Sequence, residues 1–196
     1  MCGRFFIESD DAPEELELLL EQAESWGERF APLLKLKRGE LFPGDAAAVV
    51  AHNRARKTSV FIMRWGFHMG KRLIINARSE SAREKITFRE SMALRRCLIP
   101  ASAYYEWDHR EKKPPKLLFQ PQSSSMMYLA GLYRYEDDQQ PVFTILTRAA
   151  DPSIACFHDR MPVILPSNAV DDWLDDQQDP MHLLDLAITA LNWQPV

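Results

Sequence analysis

The chain has 196 residues, 46% of them hydrophobic and 10% aromatic, enough to bury a sizeable core as a single domain over 1–196. No apolar run approaches the roughly 20 residues that cross a bilayer, and the acidic N-terminal stretch lacks the regions of an export signal, so a cytoplasmic protein without membrane contact is expected. The net charge of −4 argues against a nucleic-acid binder until it is divided: 35–118 carries 19 Lys and Arg against 8 Asp and Glu, the remainder 5 against 20. That asymmetry fits either a local basic surface that steers a polyanion or scattered solvated charge.

In chain order, Pro13, Glu14 and Glu15 followed by Leu16, Leu19, Leu20 and Ala23 predict an amphipathic helix with proline and acids in its first turn. Apolar or alternating runs at 46–51, 59–65, 73–75, 97–99, 117–119, 126–132 and 142–146 predict strands of one sheet system. Helices are expected over 88–94, over 167–173 with Ser167 as N-cap, and over 181–191, and 136–140 reads as a hairpin loop. Cys2, Cys97 and Cys156 are too few and too scattered for a disulfide framework or a zinc site. Reduced thiols are expected, with Cys97 and Cys156 in the core.

Five segments concentrate chemistry. In Met1-Cys2-Gly3-Arg4-Phe5, removal of Met1 leaves Cys2 as a 1,2-aminothiol, whose amine titrates near ~7.7–8.0 and whose thiol near ~8.5. Against an aldehyde the amine forms an imine and the thiol closes a thiazolidine, a durable covalent trap. The bland alternative is a cysteine in the second codon by accident. Asn76 and Arg78 follow Ile74-Ile75 at a strand end, where an amide orients a polar ligand and a guanidinium clamps phosphate; capping and an Arg78–Glu80 ion pair are the structural alternative. Glu106 sits among Tyr104, Tyr105 and Trp107, where partial burial is expected to raise its pKa toward general acid–base work, unless the strand turns it to solvent. His158-Asp159-Arg160 precedes a buried run and combines a proton shuttle with a phosphate-binding cation, though a lone histidine is more often structural. In the strand 142–147, Thr147 is positioned to turn its hydroxyl toward a site.

Taken together, MCGRF, Trp65-Gly66, INARSE, RRCLIP followed by YYEW, FTILT and HDRMPVIL occur in one order over most of the chain. In this the chain resembles the SOS-response-associated peptidase (SRAP) family, also called abasic-site processing proteins. The resemblance implies an α+β fold in which a complex mixed sheet curls into a pseudo-barrel with flanking helices and the mature N-terminus is buried near a DNA-binding cleft. It implies that Cys2 captures the aldehyde of an abasic site in single-stranded DNA as a thiazolidine crosslink, shielding the lesion in the DNA damage response. Asn76 would hydrogen-bond the substrate while Glu106 and His158 move protons. Arg4, Arg78 and Arg160 are the expected phosphate contacts, with Thr147 beside them. No metal or other cofactor is required, and a monomer, nucleoid-associated during damage if bacterial, is expected. A cysteine peptidase that releases Met1 or hydrolyses other amides, and a non-covalent single-strand binder, are the alternatives. The chain departs from the family pattern at Leu41-Phe42-Pro43-Gly44-Asp45, which lacks an asparagine that relatives usually carry in an Asn-x-x-Pro segment. It also departs at Phe67-His68-Met69-Gly70-Lys71, which lacks a Pro and Trp that relatives often carry.

Overall fold

Strand-forming residues dominate the middle of the chain, and the computed structural model, which describes residues 2–137 and 139–196, arranges them in two main sheets. The chain opens with β1 (Arg4–Ile7) and the amphipathic α1 (Glu14–Phe30), entered through Pro13 with Glu14, Glu15 and Glu17 in its first turn. There follow β2 (Gly39–Leu41), β3 (Ala46–His52), β4 (Thr58–Trp65), the small hairpin β5 (Phe67–Met69) and β6 (Arg72–Ile74), and β7 (Asn76–Arg78). Two short helices, α2 (Ser79–Ala82) and α3 (Arg89–Leu94), lead to β8 (Arg96–Ala101), β9 (Ala103–Trp107) and β10 (Lys116–Pro121). The long β11 (Met127–Tyr135) and β12 (Pro141–Ala149) form a hairpin, and β13 (Arg160–Pro162) and β14 (Ile164–Leu165) follow. A 3-10 turn, α4 (Val170–Leu174), α5 (Pro180–Leu184) and β15 (Leu191–Pro195) complete the chain.

One sheet has the order β15-β10-β9-β1-β2. The other runs β13-β12-β4-β3-β8-β11-β14, and β11 also pairs with β12, so β12, β4, β3, β8 and β11 close into a ring. This is the curled, mixed α+β architecture expected. Closure explains why β3 and β8 read as continuous apolar runs, since strands covered on both faces lose the polar alternation. Pro100 lies in β8 beyond the Cys97 and Leu98 pairing with β3, where a residue without an N–H is tolerated. Gly131 of β11 is obligatory in the ring, because an added Cβ would come within 2.9 Å of the Thr144 carbonyl oxygen and 2.6 Å of the Ile99 side chain. Arg96, only 4% exposed, satisfies its guanidinium on backbone carbonyls of Met92, Trp173, Asp175 and Gln178, so a buried cation ties α3 and α4 to the ring.

The structure corrects four expectations. The helix expected over 181–191 ends at Leu184, because the Ile188 amide is drawn to the Ile164 carbonyl and Leu191–Pro195 then pairs antiparallel with β10. Ser167 begins a 3-10 turn rather than capping a helix, and the turn passes into α4 only at Val170. Cys156 is exposed: the chain turns at 152–157, burying Ile154 and Phe157 one turn apart and leaving Cys156 outside. Cys97 is buried as expected. Several short strands are absent from the expected set, among them β1, β2, β13 and β15, runs that gain order from pairing. The expected hairpin loop is present, closed by the Glu136 amide on the Gln140 carbonyl; Asp138 lies outside the described residues, as does Met1.

Candidate active site

The site begins with strand alternation in the first sheet. Registers Phe5 opposite Tyr104 and Arg4 opposite Tyr105 place Phe5, Tyr104 and Glu106 on the inner face, and Arg4, Tyr105 and Trp107 on the outer one. Opposite Glu106 stands Leu117 and opposite Tyr104 stands Phe119, which stacks on it at 5.0 Å. Glu106 is therefore an inner-face carboxylate, 5% exposed, and not the outward residue of a half-exposed strand.

Cys2 lies fully buried at the head of β1, its Sγ directed at the Arg4 carbonyl at 3.8 Å. Its carbonyl accepts a 2.9 Å hydrogen bond from Asn76 Nδ2. Burial pushes the Cys2 thiol well above its ordinary pKa, and the negative charge of Glu106 adds to the shift. Tyr104 is pushed up in the same way, by burial first and then by the charges of Cys2 and Glu106. These mutual effects place thiol, phenol and carboxylate in one low-dielectric neighbourhood.

Asn76 is positioned by the ring. The buried Trp65 indole donates to the Ile75 carbonyl at 3.0 Å, which also accepts from the Ile145 amide, and β7 pairs parallel with β12. Trp65 packs against Phe5 at 5.0 Å and stacks with Phe143 at 6.3 Å, so one indole links β1, β7 and β12. Gly66, at φ +120, turns the chain away behind it where any Cβ would strike Leu73. Asn76 Oδ1 is buried without a hydrogen-bond partner among the described residues, an acceptor left for something else.

Further along β12, Thr147 stands opposite both Arg78 and Pro162. Thr147 is fully buried with its hydroxyl directed at the Ala77 carbonyl, and its own carbonyl accepts a 2.6 Å bond from Arg160 Nη2. Arg160 also grips Glu80 bidentately at 2.6 and 2.8 Å. That grip lowers the Glu80 pKa to about 2. The expected Arg78–Glu80 pair is thus replaced by Arg160–Glu80, leaving the Arg78 side chain exposed without an ion pair among the described residues. Arg4 is held by a carboxylate too: Glu40 accepts from Arg4 at 2.9 Å and from Lys116 at 2.7 Å. Burial acts to raise the Glu40 pKa, but those two cations outweigh it and the net shift is downward.

His158 Nδ1 accepts the Arg160 backbone N–H at 3.0 Å and lies 2.8 Å from Asp159 Oδ1. A neutral ring that accepts at Nδ1 carries its proton on Nε2, which it can offer outward as a donor. Seven of the eight expected residues therefore form two groups, Cys2, Asn76 and Glu106 around the N-terminus, and Arg78, Thr147, His158 and Arg160 along β12 and β13, joined through the β7 pairing, while Arg4 stands apart on the outer face of the first sheet. Sequence reasoning missed Tyr104, Trp65, Glu40 and Glu80. Tyr104 was within reach, since it shares the period-two face of Glu106. Among the described residues no group of three or more His, Cys, Asp or Glu side chains is placed to hold a metal ion, and no helix is long and apolar enough to cross a membrane.

Known proteins match this chain over its full length. The model of the family described as SOS response associated peptidase (SRAP) matches residues 1–196. The abasic site processing protein YoqW of Bacillus subtilis is 31% identical, over 95% of this chain and 86% of its own length. YobE of the same organism, of the same printed name, is 30% identical over 96% and 89%. A crystal structure of a Bordetella bronchiseptica protein superposes with a TM-score of 0.73 at 25% identity, covering 100% of this chain and 99% of that one. Cys2, Asn76 and Glu106 stand on the segments that carry the resemblance, and with a family match spanning every residue the chain belongs to the SRAP family.

Proposed function

We propose that this protein processes abasic sites in single-stranded DNA by covalent capture through Cys2. The reading rests on one observation above all: the Asn76 amide holds the Cys2 carbonyl at 2.9 Å beside the Glu106 carboxylate. The names of the relatives support the abasic-site part of the reading.

Excision of Met1 frees the Cys2 α-amine. The amine adds to the C1 aldehyde of the ring-opened sugar, forming a C–N bond and a carbinolamine, and loss of hydroxide as water leaves the imine. The thiol then adds across C=N, its sulfur bonding to carbon and its proton going to nitrogen, to close the thiazolidine. Water is the only leaving group. Glu106 takes the proton that the attacking amine releases and returns it to the departing hydroxide. A thiol kept neutral by burial suits this order, because the amine acts first and ring closure consumes S–H and C=N together. Asn76 Oδ1 accepts from the reacting nitrogen, and His158 offers its Nε2 proton to the sugar hydroxyl released by ring opening. Arg78 contacts phosphate directly, whereas Arg4 and Arg160 do so by exchanging Glu40 and Glu80 for phosphate oxygens.

Intact-mass spectrometry after incubation with an oligonucleotide carrying one abasic site, without reductant, tests the reading. The expected result is loss of Met1 and a stable adduct mapped to the Cys2 peptide. Processed protein without an adduct sinks it and leaves the self-cleaving peptidase or the non-covalent binder.

A further inference from the structure

We propose that the cavity between the β3–β4 turn, the end of β11 and α4 is a binding site for a nucleoside monophosphate, separate from the N-terminal site.

Strand order brings the end of β3, the start of β8 and the end of β11 together at one end of the closed sheet. The registers Phe61 opposite Val49, Ala51 opposite Cys97 and Cys97 opposite Gly131 put Phe61, Met63, Tyr133 and Tyr135 on one face. Between Phe61 on β4 and Tyr133 on β11 that face carries only small residues, Ala51, Cys97 and Gly131 among them. A cavity of about 620 Å³ opens there, within the size range of small-molecule sites. Among the described residues that line it, none belongs to the N-terminal site.

The lining sets flat rings beside positive charge. Tyr133 and Tyr135 meet at 81° with centroids 6.2 Å apart, an angle in which a planar ligand stacks on one phenol and meets the edge of the other. Tyr135 is 54% exposed, a large ring left at the rim. Burial pushes the Tyr133 phenol up to about 12, so its hydroxyl stays protonated and able to donate. Arg54 and Arg56 stand on the opposite rim with Asp176 as the one carboxylate among the described lining residues. Arg56 already pairs with Asp175 and Asp176, whereas Arg54 has no ion pair among the described residues. Arg54 is therefore the cation left for a phosphate.

The turn that carries both arginines is braced from within. Asn53 Oδ1 accepts the Ala55 and Lys57 amides at 2.9 and 3.1 Å, and the Asn53 amide donates to the Lys57 carbonyl at 3.0 Å. Arg56 sits at φ +58, a left-handed conformation that costs energy outside glycine and that such bracing sustains. The backbone beneath Arg54 is thus ordered before a ligand arrives. Aromatic rings alone suit any flat apolar molecule and a guanidinium alone any anion, but the two side by side suit a planar base joined to a phosphate. A free mononucleotide and the phosphorylated end of a DNA strand share that chemistry.

Isothermal titration of the protein with dAMP, deoxyadenosine and inorganic phosphate tests the site. None of these carries an aldehyde, so the result is independent of capture by Cys2. The nucleotide is expected to bind about tenfold tighter or more than either fragment. Tyr135→Ala should weaken dAMP binding about tenfold or more, and Tyr135→Phe should keep it within about twofold of the wild type. Arg54→Gln should reduce dAMP to the affinity of deoxyadenosine and leave deoxyadenosine unchanged, and all three variants should melt like the wild type. Oligo-dA with and without a 5′-phosphate separates the two sources: a tightening by the phosphate that Arg54→Gln removes assigns a strand end, and dAMP binding without that tightening assigns the free nucleotide. Absence of dAMP binding overturns the proposal. So does dAMP binding that Tyr135→Ala and Arg54→Gln leave intact while Arg78→Ala abolishes it, since the nucleotide then lies at the N-terminal site.

Discussion

The two faces of β1 and β9 differ in nearly every physical respect although they alternate along the same residues. The inner face holds Phe5, Tyr104 and Glu106 beside a fully buried Cys2, and burial pushes the Cys2 thiol and the Tyr104 phenol toward their neutral forms. The outer face holds a partly exposed Arg4 and Trp107 and a buried Tyr105, with Glu40 shared between Arg4 and Lys116. A two-residue period thus puts reactive groups where electrostatics are strong and recognition groups where a long polyanion reaches them. Chemistry and binding should therefore be separable by mutation.

The largest expected effect is on the inner face. Cys2→Ser should abolish the stable adduct on an abasic oligonucleotide, since an oxazolidine lacks the durability of the sulfur ring, while affinity for undamaged single strands stays within about twofold. A full adduct from the serine variant breaks the comparison. Next, Glu106→Gln should slow adduct formation by about 100-fold, the lower end of what a positioned acid–base group supplies, with undamaged-strand affinity again unchanged. Single-turnover gel assays at saturating protein separate the two quantities.

On the outer face the effects are smaller and depend on salt. Arg4→Ala should weaken binding to undamaged single strands and reduce the slope of log affinity against log salt by about one unit. Glu40→Gln should act in the opposite sense, strengthening low-salt binding severalfold by releasing Arg4 and Lys116. Strengthening by Glu40→Gln without weakening by Arg4→Ala would place the phosphate contact on Lys116 alone.

The smallest expected effect is on stability. Cys2 and Cys97 have raised pKa values in the folded chain, so both states carry neutral thiols below the unfolded value of about 8.5. As pH rises through that value the unfolded thiols ionise and the folded ones do not, so stability present at neutral pH is lost progressively above it. Tm measured from pH 7 to pH 10 should fall, and Cys2→Ser should fall less steeply. An unchanged Tm over that range would place the Cys2 thiol in a wetter setting than its burial indicates.

Much of this arrangement was legible along the chain. The central strands, the first helix and the hairpin at 136–140 follow from period and turn residues, and the residues gathered at the N-terminus were each conspicuous as polar groups beside apolar runs. What escaped was non-local. Leu191–Pro195 becomes a strand only because β10 offers an edge, and nothing in the local pattern of 181–191 announced that its helix would stop at Leu184. Arg78 lies two residues from Glu80, yet Glu80 pairs with Arg160, eighty residues away, because β7 and β13 both flank β12. Glu40 was one acid among many until the sheet set it between Arg4 and Lys116.

The sequence by itself determined which residues are reactive and which neighbours along a strand share a face, because thiol, amide and carboxylate chemistry is intrinsic to residue type and alternation is intrinsic to an extended backbone. Tertiary structure decided the partners. Ring closure brings Asn76 to Cys2, and sheet order decides which carboxylate each arginine meets, since contacts between distant segments depend on strand pairing that no local pattern encodes.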